Sequence, residues 1–129
     1  MTGAEWALFG AVILYLLTLA PVKAFGHRDF DNSRPRDPAF YAKPLRARAH
    51  GAHVNGIETF PFFAAAVLLA EFRACPQHIV DLLAFAFLAI RFCFVLAYLL
   101  DRPTIRTLLW NAGFAVNAGL FFLPAFTHA

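Results

Sequence analysis

Four long apolar stretches constrain this chain more than any other feature. They cover approximately residues 6–25, 46–72, 77–100 and 104–126. A helix crosses the roughly 30 Å of bilayer hydrocarbon in about 20 residues, and each stretch is long enough. No charge falls between Trp6 and Val22, and Glu58 is the only charge between Ala49 and Ala70. Arg91 lies near the middle of the third stretch, and the fourth carries no charge after Arg106. These stretches predict an all-α integral membrane protein, a four-helix transmembrane bundle forming a single domain over residues 1–129.

Composition supports a lipid surroundings. Of 129 residues, 60% are hydrophobic, 15% are charged and 16 are phenylalanine. A soluble domain is nearer half apolar and a quarter charged, and one this small has too little interior for so many aromatic rings. The net charge of +3 comes with no basic-aromatic motif for nucleic acid, so none is expected as a partner. The first stretch lacks a basic leader and is long for a signal peptide, so it reads as a retained helix. Cys75 and Cys93 read as small apolar side chains.

The basic residues give the bundle a direction. Lys23, Arg28, Arg34, Arg36, Lys43, Arg46 and Arg48 flank or fill the first connection, and Arg102 and Arg106 belong to the third. The second connection has only Arg73. Positive residues favour the cytoplasmic side. The expectation is a cytoplasmic loop over residues 26–45, both termini on the opposite side, and a multi-pass protein of a bacterial inner membrane.

Ionisable residues inside spans mark candidate sites. A charge at the centre of a span costs about 2.5–3.5 kcal/mol on insertion scales, so Glu58 and Arg91 should face protein or water. At 100° per residue, Arg48 and Asn55 lie nearly in line, with Glu58 one turn further on. Arg91 and Tyr98 align in the same way on the third helix, and Arg106 opens the fourth. The spacing predicts an Arg-rich polar cluster at the basic end of the bundle. Guanidinium groups grip carboxylates with two parallel hydrogen bonds, so the cluster suits a small anion beside a lipophile. His50 and His53 are three apart, but two ligands without a third make a poor metal site. They read as interfacial residues, and no metal is expected. Pro61 cannot donate a helical hydrogen bond, though membrane helices tolerate such breaks.

Arg48-Ala-His-Gly-Ala-His-Val-Asn55-Gly-Ile-Glu58-Thr-Phe-Pro61-Phe-Phe63 resembles the signature of the MAPEG family, the membrane-associated proteins in eicosanoid and glutathione metabolism. The stretch from Arg91 through Tyr98 and Pro103 to Arg106 and Thr107 is similar to the family's third helix and the start of its fourth. The resemblance covers nearly the whole chain. It implies a homotrimer that binds glutathione as co-substrate between neighbouring subunits, while a lipophilic small-molecule substrate arrives from the bilayer. It also assigns roles. Arg48, Asn55, Glu58, Arg91 and Tyr98 match glutathione-binding positions, and Arg106 matches the arginine that stabilises the thiolate. Phe94 stands where several members have a polar residue, and Gly51 and Ala52 where some eicosanoid-forming members have another Arg. These departures count against eicosanoid-specific chemistry and leave generic transferase or peroxidase chemistry open. The competing expectation is a non-catalytic protein of the same fold that binds a lipid or small anion.

Overall fold

A computed structural model describes residues 1–127. Its helices are α1 (Gly3–Phe25), α2 (Pro44–Phe72), α3 (Gln77–Leu99) and α4 (Pro103–Thr127). One turn of 3-10 helix, Phe40–Ala42, precedes α2. All four helices are long and apolar enough to cross a membrane.

Local chemistry explains where the helices start. Thr2 caps α1 by accepting from the Glu5 amide, while Glu5 accepts from the Thr2 amide. This reciprocal capping box satisfies two amides that a helix start leaves without partners. Pro44 and Pro103 stand at the first positions of α2 and α4, where a missing N–H costs nothing. Pro21, Pro61 and Pro124 lie inside helices that continue past them. Ala74 (φ 49°) and Asp101 (φ 55°) take left-handed backbone and make the two short reversals that link α2 to α3 and α3 to α4.

Small residues let the helices approach closely. Ala4, Ala7 and Ala11 on α1 are wholly buried, with Tyr15 and Thr18 continuing the same face. Gly56 of α2 lies directly against the Tyr15 ring. Gly10 faces Leu88 of α3 so closely that an added Cβ would come within 2.8 Å of it. Such small-residue contacts are how membrane helices pack without a hydrophobic drive between them. Phe63, Val67, Val80, Phe87 and Leu120 fill the shared core. The large apolar side chains on the outside, among them Trp6, Phe9, Leu17, Leu82 and Phe92, are more than half exposed and form the face offered to lipid.

The two ends of the bundle differ. At one end Thr2 donates to Glu71 (2.8 Å), the Ala4 amide donates to Asp81 (2.7 Å), and the Gln77 amide group donates to both carboxylates (2.9 Å each). This ties the start of α1 to the end of α2 and the start of α3. The opposite end holds the long connection and the α3–α4 turn. There Asp29 accepts from Lys43 (2.9 Å) and Arg46 (2.8 Å), and Arg46 also lies over the Phe40 ring at 4.3 Å. These neighbours hold the Asp29 carboxyl below its ordinary value, with the Lys43 hydrogen bond the largest cause.

Candidate functional site

At the basic end, α2, α3 and α4 enclose an open cleft of about 560 Å³. On α2, one wall carries His50, Gly51, Val54, Asn55 and Glu58 at helical spacing. Phe94 and Tyr98 come from α3, and Arg106, Thr107 and Trp110 from α4. Four of the six residues singled out from the sequence therefore line one space: Asn55, Glu58, Tyr98 and Arg106. Each is partly or fully exposed, as a site open to a ligand requires.

Arg91 and Arg48 lie behind this wall. Arg91 is 2% exposed and donates from Nη2 to Asn55 Oδ1 at 2.9 Å. Its guanidinium also sits over the Phe94 ring at 4.1 Å, a favourable cation–π arrangement. Among the described residues, no carboxylate comes within 4.0 Å of it, so it does not pair with Glu58. Arg48 aligns with Asn55 along α2 but donates from Nε to the Leu99 carbonyl at 3.1 Å. It thus satisfies a carbonyl that the end of α3 leaves without a helical partner.

The Arg91 bond decides which way the Asn55 amide points. With Oδ1 committed inward, the NH2 group is the one free for the cleft. Asn55 thus presents a donor, Glu58 an acceptor and negative charge, and Arg106 donors and positive charge. Arg106 is held over the Tyr98 ring at 4.5 Å, which keeps its guanidinium on the Tyr98 side of the cleft. Gly51 makes room for Tyr98: a Cβ there would lie 2.9 Å from the ring's Cζ and closer still to the hydroxyl. An arginine at position 51 could not fit without moving Tyr98.

The two histidines behave differently from each other. His53 places Nδ1 2.8 Å from the Tyr15 carbonyl on α1 and serves packing. His50 lines the cleft and stacks on Tyr41 with ring centres 4.3 Å apart. Its place in the wall follows from helical spacing with Val54 and Glu58, whereas its stacking on Tyr41 comes from the long connection folding back onto α2. Among the described residues, no three His, Cys, Asp or Glu gather as a metal site requires.

A family model described as MAPEG family matches residues 4–126. The chain belongs to the MAPEG family. That match takes in all four helices and every wall of the cleft. No curated protein and no solved structure matches the chain. The MAPEG family includes glutathione transferases and peroxidases and commonly uses glutathione.

Proposed function

We propose that this protein is a membrane-embedded, glutathione-dependent transferase or peroxidase acting on lipophilic electrophiles. The observation that carries this reading is the set of charged and polar groups lining one cleft. Glu58 and Asn55 on α2 offer an anion and an N–H donor, and Arg106 on α4 offers a cation. Glutathione presents complementary groups: an ammonium, peptide carbonyls with carboxylates, and a thiol that ionises.

The chemistry needs little beyond this. A free thiol with a pKa near 8.5 is mostly protonated at neutral pH, and the thiolate is the reactive form. The Arg106 guanidinium beside the sulfur favours the ionised form. The thiolate then forms a C–S bond to the electrophile, and the leaving group departs with its electron pair. With a hydroperoxide, sulfur attacks the outer oxygen and the O–O bond breaks. The alkoxide takes a proton from water, and a second glutathione converts the sulfenic acid to disulfide and water. Proximity supplies much of the rate, since the lipid already concentrates the electrophile beside Phe94 and Trp110.

Assembly as a homotrimer would close the open side of the cleft with a neighbouring subunit. The basic end, with Arg28, Arg34 and Arg36 in its loop, faces the cytoplasm on this reading, where glutathione is supplied.

The test uses purified protein in detergent, glutathione and a halogenated nitroaromatic electrophile. Turnover, with a glutathione-dependent rise in melting temperature, is expected. Arg106→Ala should lower kcat by about 100-fold, typical for loss of a group that stabilises developing or bound anionic charge, while the trimer persists. Loss of the trimer with no turnover in the parent protein would favour a structural role for the polar cluster.

A further inference from the structure

A second, smaller cavity lies deeper in the same bundle. Its volume is about 170 Å³, and it is walled by α2, α3 and α4 through Thr59, Phe62, Phe87, Arg91, Phe114 and Asn117, with Glu58 and Trp110 shared with the cleft. Phe62, Phe87, Trp110 and Phe114 give it four aromatic walls. Two of its lining residues, Asn117 and Arg91, are each 2% exposed. Asn117 Oδ1 and Arg91 Nε are both buried without a hydrogen bond, as is the hydroxyl of Tyr15 on α1, whose ring centre lies 6.0 Å from the Arg91 guanidinium but outside the cavity wall. An unmet buried donor or acceptor is costly, and in a membrane interior no bulk water reduces that cost. One missing acceptor and one missing donor beside a shared cavity match a single O–H group, which can give one hydrogen bond and take another.

Size and position narrow the occupant. Whole ligands occupy cavities of about 300–1,000 Å³, so this slot holds only the end of a molecule. Asn117 lies eleven residues beyond Arg106 on α4, about 16 Å along the helix axis. The reacting atoms, near Arg106, are therefore far from Asn117, although the slot meets the cleft at Glu58 and Trp110. Glu58 in the wall disfavours a carboxylate there. Gly113 also lines the slot, and the space it leaves is free of close contacts, since an added Cβ would meet nothing nearer than Ile90 at 3.4 Å.

The geometry points to a hydroxyl-recognition slot for the far end of the lipophilic substrate, selecting chains with a terminal O–H about 16 Å from the electrophilic carbon. This rests on the transferase reading of the cleft and adds the substrate class. Asn117 accepts the hydroxyl proton, Arg91 donates to its oxygen, and the aromatic walls hold the last carbons of the chain.

The experiment compares two long-chain 2-enals of equal length, one ending in methyl and one in hydroxyl. Both are to be conjugated when the thiolate adds to C3 and C2 takes a proton. The parent protein should favour the hydroxyl chain about tenfold in kcat/KM, the net gain of two buried hydrogen bonds over the hydration the hydroxyl gives up, and mainly through KM. Asn117→Leu should abolish that preference while leaving the methyl chain and the glutathione melting shift unchanged. Gly113→Ala, which fits the local packing, should raise KM for both long chains but not for a short electrophile, and provides the check if Asn117→Leu folds poorly. A parent protein with no preference, as when water alone fills the slot, overturns the proposal, and so does a preference that survives Asn117→Leu. Failure of the transferase reading is separable. Should neither chain be conjugated, Trp110 fluorescence in a Trp6→Phe background still reports on the slot. A nitroxide-bearing long-chain alcohol should quench it more than the methyl-ended counterpart, and equal quenching overturns the slot.

Discussion

Arg91 shows how a single residue can shape a glutathione site without touching glutathione. Its charge is buried in a span, at a cost, and it donates a hydrogen bond to Asn55. Arg91→Met should therefore leave the helices intact and weaken glutathione binding about tenfold, because the Asn55 amide loses the partner that orients it. A melting-temperature titration with glutathione measures this directly. Gly51 makes a comparable prediction. Gly51→Ala puts a methyl into the space of the half-exposed Tyr98, which can swing aside, so glutathione KM should rise several-fold with little loss of stability. Gly56→Ala meets the Tyr15 ring instead, and Tyr15 is 1% exposed with nowhere to move. Overpacking of this kind costs about 1–3 kcal/mol, which thermal unfolding in detergent would show. The stripe of Asn55 and Glu58 was legible because helical spacing is a local property. The inward turn of Arg48 to Leu99 and the stacking of His50 on Tyr41 were not, because both depend on residues far away in sequence.

Among the elements, the helices were readable from apolar run length, and their starts could be read more finely than apolar content allows. Thr2 with Glu5, Pro44 and Pro103 are start signals in their own right, and they put the beginnings of α1, α2 and α4 one to three residues before the apolar runs suggest. The connection between α1 and α2 was legible only as polar and without periodicity. Its order comes from Asp29 gripping Lys43 and Arg46, a pairing across the loop that spacing does not reveal. The Asp29 carboxyl titrates below its ordinary value of 3.8, so its grip is fully present above that value. It is lost as pH falls through the lowered one. Protection of residues 26–43 against hydrogen exchange, taken relative to the intrinsic rate at each pH, should accordingly fall only in that acid range, and Asp29→Asn should show the weaker protection at neutral pH.

As a whole, the molecule is polar at both ends and apolar between, but the ends are built for different purposes. The end with Thr2, Glu71, Gln77 and Asp81 is closed by direct hydrogen bonds between helices. The basic end is left open around the cleft. A cysteine placed at Ser33, in a protein whose Cys75 and Cys93 are replaced, should react with an impermeant reagent only from the cytoplasmic side. Labelling from the outside would reverse the orientation. The measurement with most bearing on function is the ionisation of bound glutathione, followed by the ultraviolet absorbance of its thiolate as pH is varied. With the parent protein the bound thiol should ionise well below the free value near 8.5, and with Arg106→Ala it should return towards that value. An unshifted titration in the parent protein, or one that Arg106→Ala leaves unchanged, would contradict a cleft that binds and activates glutathione.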